Sequence, residues 1–556
     1  MALARRLPLY LACWIVFAAE QAVGQSIEAG GPVQASGPAA QQGEELRASP
    51  ASAPVRPAFD RVLLAAKANR VQLEGALNHF SPDSQPLEHA AMQWLVLHLE
   101  RHGHARMAWL NASGEAVEIP RAAFLSPENF EREWAALQAE HGELRPGVAR
   151  LDGDLLSLTQ DELAQNVDFA VRAWRERPWT RDLKLEQFLE GVLPHRVGDE
   201  ALDDWRKVLF ETFATLEDRL AHPRDPYEAA EWIRRSARSW VEVAPQYSWH
   251  LTDQSLTEML LSKKGRGEDL AHLELMALRA NAIPSALDYT PAWAARRGNF
   301  AWTRLLLEGA SGRGVPDLAN TETPHDAPAG RLGKVYRRTF ASQPDSWAAR
   351  VPGTEPLPAW LADARMLDVT AEYVPVASIT VPLRPSSRRS VLAYACVFDG
   401  RSWTPIAAGR VSDEGAFVRF DDLGREVAYL PAWFDEDGVH PAGPPFLLGA
   451  DGEARVLNGI GFESPGHLVG ADRYAPEQPA ERGVAAEAAR HLAATEGYRL
   501  LLWQDDAWVE CQRHSVRGGQ TWWEIPPRRL ALLQAVDGWH AQARPWTEQF
   551  GQLIWW

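Results

Sequence analysis

The segment that decides the fold is GRGEDLAHLELMALRANAIPSALDYTPAWAARRGNFAW, residues 265–302. A glycine-flanked turn opens onto a largely apolar run, which predicts a buried helix. Acidic residues at its start suit the free N–H groups and the dipole of a helix N-terminus. The short alternating runs after Pro284 predict strands. The first helical turn is a good place to hold a nucleophile, yet Gly267 has no side chain to offer.

Length and charge bound the class of protein. At 556 residues the chain is too long for one core and is predicted to form several domains. The formal net charge of -17 argues against a nucleic-acid or anionic-membrane partner, since binding to phosphates needs clustered lysine and arginine. The sequence also lacks the Cys-x-x-Cys and His-Glu-x-x-His spacings of zinc sites, so it predicts no metal and no cofactor.

The N-terminus is typical of an exported protein. Residues 1–24 have a charged start, an apolar run and small residues at cleavage spacing, which together predict a signal peptide. Residues 25–57 are rich in proline, alanine, glycine and serine and predict a disordered linker. We therefore expect a secreted or periplasmic protein with no membrane span after cleavage.

Sequence texture divides the remainder into regions. Helical periodicity comes first, then a mixed segment, then strands punctuated by Gly, Asp and Pro that predict an antiparallel sandwich or barrel. The predicted fold class is α+β and multidomain. The predicted regions are an all-α N-terminal region at 58–245, an α+β core at 246–388, a β-sandwich-like domain at 389–462, a linker at 463–496 and a β-rich domain at 497–556.

The central segment resembles the transglutaminase-like superfamily, whose papain-like core pairs a helix-borne Cys with a His on an adjacent strand. Members read Gly-x-Cys-x-Asp, then an apolar helix ending in a Gly-Ile-Pro-like turn, then His-Ala-Trp. The matching stretches here are residues 265–269, 282–284 and 299–302. Over most of residues 60–556 the chain resembles large secreted bacterial transglutaminase-domain proteins of the Bacteroidetes type. However, Gly267 stands at the Cys position and Phe300 at the His position.

These two replacements remove the chemistry that the resemblance implies. Acyl transfer needs an activated nucleophile and a base, and such residues act as a unit. Asp368 or Asp317 is a possible residual orienting residue, which does nothing catalytic without a histidine to orient. Cys396 and Cys511 lie in predicted downstream strands and cannot readily substitute. We expect a protein without catalytic activity.

Several residues near the motif allow two interpretations. Glu268 and Asp269 are either remnants of a catalytic site or, as we favour, acidic residues that stabilise the start of a helix. His272, one turn later, is either a general base or, more simply, a packed side chain. Phe300 fills the vacated position or forms, with Trp293, Tyr289 and Trp302, an aromatic platform for extended peptide or sugar. We favour the filling role but retain Trp302, Trp293, Tyr289 and Asp269 as candidate binding residues.

Three further features stay open. The cluster LPHRVGDE, residues 193–200, is a second site or, as we favour, a loop with internal salt bridges. Any tryptophan ring of the C-terminal region that is exposed would stack on a carbohydrate ligand; the candidates are Trp503, Trp508, Trp522–Trp523 and Trp555–Trp556. A Cys396–Cys511 disulfide is possible in an oxidising compartment, although separate buried thiols are favoured.

The function expected from the sequence is that of a secreted or periplasmic, transglutaminase-like protein without its catalytic pair. It would bind or scaffold a peptide, protein or polysaccharide ligand. The alternative is an atypical amidase, peptidase or transglutaminase that uses unrecognised residues of the same cleft, such as Asp269 and His272. A third interpretation makes the core purely structural, with the β domains carrying the binding.

Overall fold

The computed structural model describes the chain from Val55 onward, with gaps. The predicted signal peptide and nearly all of the predicted N-terminal linker lie outside the described residues. Most of the predicted linker at 463–496 also lies outside them. The described residues are 55–119, 123, 127–244, 247, 252–294, 298–307, 331–351, 353, 355–386, 390–400, 402–457, 467–470, 498–511, 514–517, 520–525, 529–535, 546–549 and 552–555.

Two compact units make up the chain. Unit 1 comprises Met1–Ala286 with Leu305–Glu308 and Phe340–Ser342, and unit 2 comprises the remainder up to Trp556. The division falls inside the predicted core at 246–388, so this segment contributes its helix to one unit and most of its strands to the other.

Unit 1 is mainly helical, as the 3.6-residue periodicity of its sequence predicts. Its interior is built from aliphatic and aromatic side chains such as Leu73, Met92, Leu95 and Phe188, each of which is fully buried. The helices are α1 Val55–Ala65, α2 Arg70–Leu77, α3 Pro86–Leu97, α4 Pro127–His141, α5 Asp154–Ser157, α6 Gln160–Glu176, α7 Leu185–Gly191, α8 Trp205–Thr212, α9 Pro226–Arg238, α10 Leu256–Ser262 and α11 Gly267–Ala280.

Unit 1 also contains strands, so the expectation of an all-α region at 58–245 is wrong. An antiparallel sheet in the order β2-β1-β3 is formed by β1 Gly103–Leu110, β2 Ala116–Val117 and β3 Arg145–Gly153. A tight turn joins β1 to β2, with Gly114 at φ +81°, a backbone conformation that glycine adopts without strain. The sequence pattern does not predict this sheet, because β1 pairs with a segment about forty residues later in the chain and a helix lies between the two strands.

Helix α11 is the central element of the segment quoted above. Every residue from Ala271 to Ala280 is buried, which agrees with the apolar run in the sequence. The helix gives way to a turn in which Ala282 has φ +55°, and Pro284 follows. Before the helix, β4 Glu242–Val243 pairs in parallel with β5 Lys264–Gly265 and fixes the chain that leads into its first turn.

Unit 2 is built mainly from strands. A sheet in the order β7-β6-β8-β9 comprises β6 Ser285–Thr290, β7 Phe300–Leu305, β8 Tyr336–Arg338 and β9 Met366–Asp368, of which the first two residues of β6 and the last of β7 are assigned to unit 1. Helix α12, Trp347–Arg350, lies between the last two strands along the chain.

The largest described sheet of unit 2 is antiparallel and closes into a nearly complete barrel around Ile406, Phe420, Tyr429 and Phe446. The strand pattern allows a sandwich or a barrel, and the sheet is barrel-like rather than the sandwich assigned to residues 389–462. The predicted start at 389 is wrong, because β10, Val376–Pro382, joins this sheet by pairing with β13. Its strands are β10 Val376–Pro382, β11 Leu392–Phe398, β12 Trp403–Val411, β13 Phe417–Gly424, β14 Val427–Asp435, β15 Gly438–Pro441, β16 Phe446–Leu448 and β17 Ala454–Val456.

The C-terminal region consists of further antiparallel strands, as its alternating sequence predicts. One sheet has the order β18-β22-β21 and another the order β20-β19-β23-β24-β25. The chain is thus an α+β protein in which antiparallel sheets predominate. The strands are β18 His467–Gly470, β19 Tyr498–Gln504, β20 Ala507–Glu510, β21 His514–Arg517, β22 Gln520–Ile525, β23 Ala531–Ala535, β24 Trp546–Gln549 and β25 Gln552–Trp555.

Candidate functional site

The start of helix α11 is held by a charged capping box. The Arg266 backbone N–H donates to Asp269 Oδ2 at 2.8 Å, and the Arg266 guanidinium donates to both oxygens of the same carboxylate. Gln254 adds its own N–H donors to this fully buried side chain. The interpretation of Asp269 as a helix-start residue is confirmed, and these contacts give it a structural role.

Gly267 is the first residue of the helix, and the space beside it is open. A Cβ built on Gly267 would meet no atom of the described residues within 4 Å. The position that carries the nucleophile in the resembled family is therefore accessible and has room for a side chain. It presents only backbone, which supplies N–H donors but no group that can attack a carbonyl.

Behind the first turn lies a buried cluster of acidic residues around His272. The imidazole is fully buried, and its Nδ1 lies 3.7 Å from Asp253 Oδ2. Asp253 and Asp199 each accept a hydrogen bond from the other's backbone N–H, at 3.1 and 3.0 Å. The other oxygen of Asp253 accepts from Arg266 Nη2 at 2.7 Å. The cluster thus joins the 198–200 loop, the segment before α10 and the start of α11.

A glycine makes this close approach possible. A Cβ on Gly198 would lie 2.0 Å from Asp253 Oδ2 and 2.8 Å from His272 Cε1, distances that real Cβ atoms do not reach. Only a residue without a side chain lets the loop backbone pass so near to the carboxylate and the ring.

Charge in this cluster is unbalanced. Asp199, Asp253, Glu268 and Asp269 contribute four carboxyl groups, whereas the cation among them in the described contacts is Arg266, which bonds Asp253 and Asp269. Burial, followed by the neighbouring Asp253 charge, raises the pKa of Asp199 well above its usual value. Although burial opposes charging of Arg266, the adjacent Asp269 and Asp253 outweigh it and raise the pKa of the guanidinium. The cluster therefore favours an additional positive charge.

Phe300, which the resemblance aligns with the family's histidine, belongs to unit 2 and lies in an aromatic cluster. Its half-buried ring stacks on Trp302, with centroids 5.8 Å apart, and lies 6.0 Å from Trp293. Trp302 Nε1 donates to the Tyr373 hydroxyl at 3.0 Å, and that hydroxyl donates to Asp288 Oδ2 at 2.6 Å. Burial, only partly offset by Arg337, raises the pKa of Asp288.

All the candidate binding residues are buried. Trp302 is 2% exposed, Trp293 5% and Tyr289 8%, and Asp269 is fully buried. A sugar or peptide that stacks on an aromatic ring needs access to the ring face, so this geometry favours packing over an open platform. Phe300 is half-buried, as are Tyr373 and Val374 of the same cluster.

Asp368, a candidate orienting residue, has no histidine among its contacts within the described residues. Asp368 ends β9, where it pairs with Lys334 and accepts hydrogen bonds from the backbone N–H and hydroxyl of Thr370. The lysine is 2% exposed, so this carboxylate neutralises a buried cation. Asp317 lies outside the described residues.

The loop at 193–200 is held by ion pairs, but their acidic partner, Asp154, lies outside the loop, so the expectation of salt bridges within the loop is wrong. Buried Asp154 accepts from His195 Nε2 at 2.7 Å and from Arg196 at 2.7 and 2.9 Å. Burial opposes ionisation of Asp154, but Arg196 and then His195 outweigh it and lower its pKa well below the usual value. Glu200 accepts the N–H groups of the loop itself. Asp199 is the exception, because it belongs to the His272 cluster.

The tryptophans and cysteines of the β region lie largely in the interior. Trp503 is 7% exposed and packs edge-on against Trp403 and Trp508. Cys396 and Cys511 are both buried, and burial raises the pKa of Cys396, which opposes formation of the reactive thiolate. The side chains of Trp522–Trp523 and Trp555–Trp556 lie outside the described part of the structure.

A polar cavity of about 510 Å³ is a second feature of unit 1. His195 Nδ1 and Asp203 Oδ1 are buried, belong to lining residues and have no hydrogen-bond partner within the described chain. Such atoms are costly to bury unless water or a ligand satisfies them. Other lining residues are Glu162, Asn166, Arg206 and Lys207.

Sequence reasoning missed the residues that complete the cluster around His272. Asp253 and Asp199 are 54 positions apart, and neither belongs to a recognisable motif with the histidine. The only local signal is the Gly198-Asp199 pair in a loop, which is common in proteins. Their proximity is a consequence of tertiary packing.

Comparison with known proteins gives no relative: no family model matches the chain, and neither a curated protein nor a solved structure is significantly similar to it. Within the described residues, no helix is both long enough and apolar enough to cross a membrane.

Proposed function

We propose that this is a secreted or periplasmic, transglutaminase-like protein that has lost its catalytic pair and binds a peptide or glycan. The observation that carries the proposal is the open, side-chain-free position at Gly267. An acyl-transfer enzyme of this kind needs a thiolate there and a base beside it. Both described cysteines are buried in unit 2, so neither supplies an accessible thiolate.

The order of elements around that position supports the proposed relationship. A capped, buried helix begins at Gly267, ends before the Ala282–Pro284 turn and is followed by β6 and β7. This is the helix–turn–strand–strand order that the resemblance implies. Phe300 begins β7 within an aromatic cluster, where the ring occupies the position of the base and transfers no proton.

The polar cavity of unit 1 supports the binding half of the proposal. Its volume of about 510 Å³ lies within the usual range of small-ligand sites. Within the described residues Asp203 Oδ1 has no hydrogen-bond partner, which leaves it able to accept from a hydroxyl or amide N–H. Exposed Glu162 and Lys207 place charges of both signs at the cavity. Sugars and peptides are rich in such donors and acceptors.

The binding test uses the full mature chain on glycan and peptide arrays, followed by titration of any ligand found. Asp203→Asn is expected to weaken binding at least fivefold, because an amide N–H₂ can replace the acceptor. Asp218→Asn is the matched control, since Asp218 is exposed and does not line the cavity. Equal affinity in both variants, with loss of binding on deletion of 390–556, would place the ligand in the β half instead.

The activity test decides between this proposal and an atypical amidase that uses the buried histidine. His272 Nδ1 lies 3.7 Å from Asp253 Oδ2, and a carboxylate beside an imidazole is an arrangement used in general acid–base catalysis. This pair is the reason to test the alternative. Wild-type protein should release no amine from glutamine-containing or peptide substrates beyond the rate of buffer. Turnover that is abolished by His272→Gln in a folded protein would overturn the proposal of inactivity.

A further inference from the structure

Three ligand-type side chains converge at the base of helix α11. Asp253, Glu268 and His272 each place one donor atom within 4.8 Å of the donor atoms of the other two. Asp253 precedes α10, whereas Glu268 and His272 lie one turn apart on α11, which is the spacing that puts two side chains on the same face of a helix.

His272 is the observation that points to a ligand. Its side chain is fully buried, and neither ring nitrogen has a hydrogen-bond partner in the described part of the chain. The nearest acidic oxygen, Asp253 Oδ2, is 3.7 Å away, too far for a hydrogen bond. A buried imidazole without partners is costly, and a metal ion is one of the few groups that can satisfy it.

The surroundings orient Asp253 toward the histidine. Arg266 Nη2 binds Oδ1 at 2.7 Å, which leaves Oδ2 on the side of the ring. Oδ2 also accepts the backbone N–H of Asp199 at 3.1 Å. Two ligands on a tetrahedral zinc lie about 3.4 Å apart, so the Oδ2–Nδ1 separation of 3.7 Å needs little adjustment to chelate an ion.

Electrostatics favours a cation at this point. Asp253, Glu268 and Asp269 carry three negative charges against the positive charge of Arg266. A divalent ion among the donors would offset the two remaining charges, which reduces the cost of burying them together. Glu268 is half-buried, and the adjacent Gly267 is exposed with open space beside it, so this ligand lies nearest to solvent.

We propose that Asp253, Glu268 and His272 bind a divalent transition-metal ion at the start of helix α11. One imidazole nitrogen with two carboxylate oxygens suits zinc, manganese or iron, whereas calcium and magnesium prefer oxygen ligands alone. The ion would tie the segment before α10 to the first two turns of α11. This site uses none of the residues of the proposed ligand cavity, so it stands or falls independently of the proposed function.

The experiment measures zinc binding by the chelator-stripped full chain in competition with a chromophoric chelator. We expect one high-affinity Zn²⁺ per chain, bound at least tenfold more weakly by Glu268→Gln and by His272→Gln. Glu268 is the preferred variant because it is half-buried and in no described hydrogen bond, so the fold should survive its change. Glu186→Gln is the matched control: Glu186 is likewise an acidic residue in the first turn of a helix, α7, and is exposed.

Cobalt provides a second measurement that does not depend on affinity alone. Co²⁺ added to the stripped wild type should develop visible absorption bands that Glu268→Gln and His272→Gln weaken or shift and Glu186→Gln leaves unchanged. Zinc affinity that is the same in all three variants as in the wild type would overturn the proposal. So would a wild-type chain that does not compete with the chelator for zinc.

Discussion

Replacing Arg266 by alanine tests the charge balance at the start of helix α11. The guanidinium is 12% exposed and bonds two buried carboxylates, Asp253 at 2.7 Å and Asp269 at 2.8 Å. Breaking a buried ion pair by removing one partner costs about 3–5 kcal/mol, because the remaining charge is left uncompensated. Gln254 still donates to Asp269, so we expect Arg266→Ala to lower the free energy of unfolding by about 3 kcal/mol, at the lower end of this range.

The loss should depend on pH in a defined direction. Without Arg266, the folded-state pKa values of the two carboxyl groups rise above the unfolded value of about 3.9. Ionised carboxylates then destabilise the folded state, and the penalty is full above the raised pKa. As the pH falls through that pKa the groups become neutral and the penalty shrinks. The destabilisation by Arg266→Ala should therefore be larger at pH 8 than at pH 5.

Urea unfolding in the presence of a chelator, followed by far-UV circular dichroism, measures this loss. The helical signal comes mainly from unit 1, where the substitution lies. Arg235→Ala is the control, because its i,i+4 pair with Glu231 is exposed and worth about 0.3–0.5 kcal/mol. A loss of less than about 1 kcal/mol at pH 8, or the same loss at both pH values, would refute the reasoning.

Three other substitutions test separate features. Gly267→Cys should be alkylated by iodoacetamide at least tenfold faster than the buried native cysteines, measured by mass spectrometry, because its position is open; equal rates would contradict an open position. Asp154→Asn should lower the free energy of unfolding by about 3–5 kcal/mol at pH 7, because Arg196 loses its buried partner. The difference in free energy of unfolding between variant and wild type should decrease below about pH 4, because the stability that the lowered pKa of Asp154 gives to the wild type is lost as the pH falls. A gap that persists unchanged at low pH would contradict this assignment. Trp302→Phe should cost about 1–3 kcal/mol in thermal unfolding, because the Tyr373 hydroxyl loses its donor; an unchanged melting temperature would show that this bond is unimportant.

Local sequence patterns were sufficient for the elements whose cause is local. The apolar run after Gly267 predicts α11, and the acidic residues beside it predict the start of that helix, because capping and burial periodicity act within a few residues. The alternating stretches likewise predict the antiparallel strands of unit 2. The absence of a side chain at Gly267 is read directly from the sequence, whereas the open space around it is not.

Long-range pairing was beyond those patterns. The sheet formed by β1 and β3 lies inside a region that the sequence predicts to be helical. Strand β10 belongs to the barrel-like sheet, although the predicted start of that domain, residue 389, comes after this strand in the chain. In both cases the strand is stabilised by hydrogen bonds to a segment about forty residues away. A window of ten or fifteen residues contains no information about that partner.

The sequence by itself determined the residues at the start of helix α11: Gly267, which has no side chain, followed by the acidic residues Glu268 and Asp269. Only the tertiary structure decided what surrounds them. It brings Asp199 and Asp253, 54 positions apart, to the same buried histidine, through a loop whose Gly198 leaves room for the contact. The physical reason is that burial and charge depend on neighbours in space, and packing of the whole unit chooses those neighbours.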